Sequence, residues 1–106
     1  MIVKMSRVVE INSVEAQNSF ITNNSRALIF FGSNKCNHCR SMVPIFDKLS
    51  KKYTSVAFGH VEVTKVKVEN LVGVPVFVAY KDHGPIDSVL GSKEQAIIKM
   101  IESRLL

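Results

Sequence analysis

Residues 27–31, Ala-Leu-Ile-Phe-Phe, are apolar without a break and stop at Gly32. A strand with one wet face alternates apolar and polar residues, so an unbroken run of this kind reads as a strand covered on both faces. Such a strand needs one layer of structure above it and another below. The flanking sequence offers both. Asn12 or Ser13 can cap a helix reaching about residue 24, with Asn12 and Glu15 at capping-box spacing and Val14, Phe20 and Ile21 marking its inner face. Beyond the run, residues 37 to about 53 are helical in pattern, with Met42, Val43, Ile45, Phe46 and Leu49 recurring at helical spacing.

Further strands are expected at 7–11, at 55–63 with Gly59 as its weak point, and at 74–80. Residues 81–85 carry turn chemistry and 86–91 a returning arm, which together predict an antiparallel hairpin. Ser92 and Gln95 have capping-box spacing ahead of a last helix whose apolar stripe is Ile97, Ile98, Ile101 and Leu105. Residues 64–71 suit either a strand or two helical turns. The resulting order, β-α-β-α-β-(α)-β-β-α, predicts an α/β fold of three layers, α/β/α, around a mixed sheet of four or five strands.

With 106 residues, 46% of them hydrophobic, the chain fits a single domain over 1–106 with a modest core. Pro44, Pro75 and Pro85 are scattered, and neither a linker composition nor a repeat is evident. No apolar run approaches the roughly 20 residues that cross a bilayer. The leading residues 1–12 lack the apolar stretch of a secretory signal. The expectation is a soluble cytoplasmic protein, in a compartment that keeps thiols reduced. The formal charge of +5 is spread along the chain, and the tightest basic group, Lys48, Lys51 and Lys52, reads first as a solvated helix face and second as a surface attracting acidic partners. Without a basic stripe interleaved with aromatics, neither nucleic acid nor membrane is an expected partner.

The only two cysteines, Cys36 and Cys39, fall where the buried strand has ended and the helix begins. A thiol at a helix N-terminus meets unpaired backbone N–H groups and the positive end of the macrodipole, both of which favour thiolate. Lys35 and His38 add positive or proton-donating groups nearby. Cys39 lies within disulfide reach in the first turn, shielded by the helix. An exposed nucleophile beside a buried resolving thiol can exchange disulfides. Zinc is the first competing reading, but one C-x-x-C supplies two ligands of four, leaving His60 and His83 as distant candidates. Two inert thiols are the second. The junction context favours the redox couple over both, so no metal is expected.

The strand "LIFF", the motif Cys36-Asn37-His38-Cys39, Pro44 inside the following helix, "GVPVF" at 73–77 and "GSKEQ" before the last helix together resemble the thioredoxin family over nearly the whole chain. The resemblance implies a thioredoxin fold with a cis-proline loop at Pro75, a substrate strand docking beside Val74 and Pro75, and a proline at 44 that interrupts helical hydrogen bonding. It also implies a thiol–disulfide oxidoreductase acting on protein disulfides through Cys36 and Cys39, with His38, Lys35 and Asn37 tuning the thiolate. No cofactor is needed. Electrons would come from a thioredoxin reductase or a glutathione-linked system, and a monomer is expected.

Several positions depart from the family pattern. Lys35 stands where tryptophan is usual, and Asn37-His38 replaces the common Gly-Pro, with His38 resembling the second position of protein disulfide isomerases. Six residues before Cys36, where family members carry a buried acid, the chain has Phe30, and Phe58 aligns with that acid's lysine partner. Losing the acid alone would strand a buried lysine, whereas replacing both keeps the interior apolar. A desolvated Cys39 with no internal base should then have a high pKa and resolve slowly. Residues 62–75 are about one helical turn short of the family, predicting a trimmed or irregular third helix. Tyr53, Tyr80, His60 and His83 are read as structural or surface residues. Two alternatives are a glutaredoxin-like reductase dependent on glutathione, and a binding or assembly module that has kept the fold with weak redox activity.

Overall fold

The computed structural model describes residues 7–106. The first six residues, on which part of the reading of the leading segment rests, lie outside the described residues. Strands β1 (Val8–Ile11), β2 (Arg26–Gly32), β3 (Ala57–Glu62), β4 (Val76–Lys81) and β5 (Gly84–Leu90) alternate with helices α1 (Val14–Asn23), α2 (Asn37–Lys52) and α3 (Glu94–Met100). A π-helical turn, Ile101–Leu105, continues α3. The sheet order is β1-β3-β2-β4-β5. β3 runs parallel to both β1 and β2, while β4 is antiparallel to β2 and β5. This is the mixed five-stranded sheet of the thioredoxin fold.

β2 is the central strand, and residues 27–32 are buried throughout. Its side chains divide by parity, as the pleat requires. Leu28 and Phe30 join Met42, Phe46 and Leu49 of α2 and Ile97, Ile101 and Leu105 of the C-terminal helix in one core cluster. Ala27, Ile29 and Phe31 join Phe20 of α1 in the other. In α1, Ser13 is the cap, its Oγ accepting the Ala16 N–H at 3.0 Å. That register puts Asn12 outside the helix and turns Val14 to solvent, so Phe20 and half-buried Ile21 form the inner face. In α2, Cys39, Met42, Phe46 and Leu49 follow the 3-4-3 spacing of a single face, which leaves Val43 exposed.

Two expectations near the C-terminus are corrected. Ser92 and Gln95 form no capping box, because α3 begins with Lys93 as its cap residue and no side chain bonds there. The helix starts one residue later than that spacing requires. Residues 63–75 contain neither a strand nor a helix; they run as turns, with Asn70 at φ 62°. Valines at 63, 66 and 68 are stiff at χ1 and weak helix formers. The segment nevertheless covers its face of the sheet, with Val66 buried and Val68 and Leu71 packed beside it. The β4–β5 hairpin turns on Asp82 and His83, at φ 52° and 78°. This pair of left-handed residues matches the twist of the strands they join.

The three lysines of α2 each have a local partner. Lys48 bonds Glu94 at 2.8 Å, Lys51 bonds Asp47 at 3.3 Å, and Lys52 lies 5.3 Å from the centre of the Tyr53 ring. Exposed pairs of this kind contribute at most about 1 kcal/mol each. Among the described residues, no helix is long and apolar enough to cross a membrane.

Gly59, read from sequence as the weak point of β3, lies close beneath the Phe20 ring of α1. A Cβ there would stand 2.8 Å from Ile11 Cδ1 and 3.0 Å from the Phe20 ring. The expected effect of Gly59→Ala is therefore a loss of about 1–3 kcal/mol from overpacking, despite the better strand propensity of alanine. Urea unfolding of the two proteins measures it directly.

Candidate active site

At the end of β2, the loop 33–36 tightens into the start of α2. The Cys36 N–H donates to Ser33 O at 3.1 Å, and the Lys35 N–H donates to Ser33 Oγ at 3.1 Å. Cys36 is the N-cap of α2, with extended backbone at φ −106° and ψ 119°. Its Sγ accepts the Cys39 N–H at 3.2 Å and its carbonyl accepts the Arg40 N–H at 3.1 Å. The two-residue gap thus has a structural meaning: it is the distance from N-cap to N3, where a capping side chain finds its N–H donor. Here sulfur performs the task usually done by serine or aspartate.

Both cysteines are free thiols, Cys36 half-buried and Cys39 only 2% exposed. Their proton affinities are driven apart. The Cys39 thiol, donating to Cys36 Sγ, holds Cys36 below the ordinary thiol value. Burial works against this, while the backbone N–H groups of Cys39 and His38 and the charge of Arg40 add to it. Cys39 is pushed up to about 11, chiefly by burial, then by its bond to Cys36 and by the negative charges of Cys36 and Glu62; the Ser33 backbone opposes the rise. Opposed shifts within one pair separate the roles of attacking and resolving thiol.

Among the expected tuning residues, His38 acts through its backbone, and its exposed side chain and that of Lys35 are absent from the groups that move Cys36. Asn37 holds Arg40, its Oδ1 accepting from Arg40 Nη2. Arg40 and Glu62 are the charged groups that reading the sequence missed. Arg40 was visible as the residue four beyond Cys36, one helical turn on. Glu62 had no local signal, because it reaches the site only through strand pairing, opposite Gly32.

The Val74–Pro75 peptide bond is cis, as the resemblance implied. Val74 packs against the same core cluster as Cys36, and Pro75 O accepts the Gly91 N–H at 2.8 Å, tying this loop to the end of β5. Phe30 and Phe58 are both 1% exposed and meet through Phe46, at ring separations of 5.4 and 5.1 Å; across the strand pair, however, Phe30 stands opposite His60 and Phe58 opposite Leu28. Phe30 also stacks on Phe77 at 4.7 Å. A cleft of about 430 Å³ opens beside this group, with Phe30, Val43, Pro44 and Phe46 among its apolar walls and Glu10, Asp47 and His60 as its polar ones. His60 Nδ1 lies 2.8 Å from Glu10 Oε1, His83 Nδ1 lies 3.3 Å from Ile21 O, and Tyr53 Oη donates to Glu102 at 2.5 Å. Burial raises the Tyr80 phenol, and none of these four residues lies against the cysteine pair in any of these contacts.

The rate of alkylation by iodoacetamide should climb with pH to a midpoint below the ordinary thiol value of 9.0, reporting Cys36. Because the Cys39 thiol is the largest cause of the lowering, Cys39→Ala should move that midpoint upward, and Arg40→Ala should move it less. A rate–pH titration of the three proteins measures both shifts.

The thioredoxin family model matches residues 8–103. "Thioredoxin-3" of Dictyostelium discoideum is 29% identical over 105 residues, covering 95% of this chain and all of that protein. "Thioredoxin 1" of Plasmodium falciparum is 30% identical over 100 residues, covering 90% and 96%. A solved thioredoxin from P. falciparum superposes with a TM-score of 0.86 at 28% identity, over 91% of this chain and 98% of that one. The Schistosoma mansoni thioredoxin does so at 0.85 and 25% identity, over 96% and 99%. With its cysteines at C-x-x-C spacing on that fold, the chain belongs to the thioredoxin family of protein-disulfide oxidoreductases.

Proposed function

We propose that Cys36 is the nucleophile of this oxidoreductase and Cys39 its resolving thiol. The observation that carries the assignment is the asymmetric pair: a half-buried sulfur capping α2 beside a buried one whose proton is held far more tightly. In the first step, Cys36 thiolate attacks a substrate disulfide, forming a Cys36–substrate bond and releasing one substrate thiolate. In the second, Cys39 attacks Cys36 Sγ, closing the Cys36–Cys39 disulfide and releasing the other substrate sulfur. Two electrons pass to the substrate, and the cysteine pair is left oxidised. Val74 and Pro75 form the edge on which an extended substrate segment lies, and Asn37, Lys35 and His38 frame the rim of the attacking sulfur. A thioredoxin reductase or a glutathione-linked system returns the electrons. The chain works as one monomeric domain over 1–106, in a cytoplasm-like reducing setting and with no bound cofactor.

Both steps need a thiolate, and the two thiols give them different pH ranges. Attack reaches to lower pH than for an ordinary thiol, because the Cys36 pKa is lowered. Resolution draws on Cys39 after Cys36 has bonded to the substrate, when the Cys36 charge no longer acts on it but burial, the leading cause of its raised pKa, remains. Raising the pH therefore accelerates resolution.

Insulin reduction with dithiothreitol tests the assignment. Cys36→Ser should abolish turnover, and Cys39→Ser should accumulate a mixed disulfide at Cys36 visible by mass spectrometry. Turnover that survives Cys36→Ser, or a native protein that neither turns over nor forms a mixed disulfide, would overturn it; the second result would leave a binding module on the thioredoxin fold.

A further inference from the structure

Resolution at neutral pH needs a group that takes the Cys39 proton, and the usual position for one holds Phe30. On the α2 face of the sheet, the side chains nearest Cys39 come from β2, β3 and β4. β2 contributes Leu28, Phe30 and Gly32, and β4 contributes Phe77 and Ala79, none of which titrates. β3 contributes Phe58, His60 and Glu62, the alternate residues paired in register with Leu28, Phe30 and Gly32. His60 is held by Glu10 on β1 and lies against the Phe30 ring at 5.0 Å, on the cleft side. Glu62 is the acidic group at the level of the cysteines.

Three features fix it there. Gly32, directly opposite Glu62, has no side chain, and a Cβ at that position would stand 3.4 Å from Cys39 Cβ and 2.7 Å from the Phe30 ring. The strand thus runs immediately beneath Cys39, and glycine keeps that ground clear. Glu62 Oε1 accepts the Asn34 N–H at 2.9 Å and Oε2 accepts the Thr64 hydroxyl at 2.7 Å, so the half-buried carboxylate is clamped to the loop that carries Cys36. In that loop, Ser33 is the backbone partner of the Cys39 thiol and Asn34, the next residue, is the partner of Glu62. Successive residues of one loop hold the thiol and the carboxylate as neighbours.

The geometry points to Glu62 as the proton acceptor of the resolving thiol, a carboxylate supplied from the end of β3 in place of one on β2. This rests on the assignment of Cys36 as nucleophile. As Cys39 attacks, its proton passes to Glu62, directly or through water; the Sγ–Sγ bond forms, the Cys36–substrate bond breaks, and the departing substrate thiolate takes the proton. Arg40, another charged group near the pair, acts on Cys36. The negative charge of Glu62 also raises the Cys39 pKa, so removing it has two opposite consequences. Proton transfer is lost, yet the thiolate forms more readily in alkali.

That opposition gives the test its signature. Glu62→Gln keeps an oxygen for the Asn34 N–H while removing the base. A mixed disulfide is formed between reduced protein and a 5-thio-2-nitrobenzoate disulfide, and its resolution is followed in stopped flow from pH 6 to 11. Resolution in Glu62→Gln should fall about 100-fold at pH 7, the scale of general-base catalysis. The deficit should close, and then reverse, as pH approaches 11. Glu62→Asp, which keeps a carboxylate, should recover part of the neutral rate. Native-rate resolution at pH 7 in Glu62→Gln, or a deficit equal at every pH, overturns the role of Glu62 and leaves that of Cys36 standing. Failure of the native protein to form the mixed disulfide at Cys36 overturns both.

Discussion

The hydrogen bond from the Cys39 N–H to Cys36 Sγ, at 3.2 Å, joins the fold of this protein to its chemistry. A helix begins with N–H groups that have no partner, and the chain must satisfy them or leave them to water. By placing a sulfur at the N-cap of α2, the same contact closes the helix, orients the Cys36 side chain and stabilises its negative charge. The buried strand β2 determines where this happens, since it carries the chain across the core and releases it at the loop before Cys36. The core and the reactive sulfur are set by one strand and one cap.

Behind the pair, the interior is aromatic. Phe30, Phe46, Phe58 and Phe77 form one connected group of rings. Offset and edge contacts of this kind add about 0.5–1.5 kcal/mol per pair beyond burial alone. They also exclude water, which strengthens every charge effect on Cys39 and explains why burial is the leading cause of its raised pKa. The same aromatic packing that stabilises the core makes the resolving thiol harder to ionise. A carboxylate at the edge of this apolar group, on Glu62, is compatible with both demands: it stays hydrogen-bonded to Asn34 and Thr64, and no unpaired charge enters the core.

Local pattern was reliable wherever one face of an element met the core continuously. The unbroken run 27–31, the stripe of Ile97, Ile101 and Leu105, and the turn at 81–85 all appear where the sequence puts them. Pattern failed where register had to be known to a single residue. The box at Ser92 and Gln95 missed the helix start by one position, and Val14 and Val43, read as inner-face residues, are exposed at the edges of their helices' buried faces. Residues 64–71 resisted because their valines fit any extended or turning path; only the exposed apolar face of the sheet beside Phe20 decides that Val66 and its neighbours lie down as irregular chain.

For the site the division is similar. The sequence by itself determined the strand-to-helix junction, the C-x-x-C spacing and hence the redox couple, because a cap and its N3 donor are three residues apart whatever surrounds them. Its two phenylalanines at 30 and 58 also implied a dry interior. The tertiary structure alone decided which charges reach the thiols. Lys35 and His38, adjacent in sequence, point their charged or ionisable ends to solvent, whereas Glu62, 23 positions from Cys39, is brought beside it by the pairing of β3 with β2. Electrostatic influence follows distance through space and the dielectric between groups, and neither is written in the order of the residues.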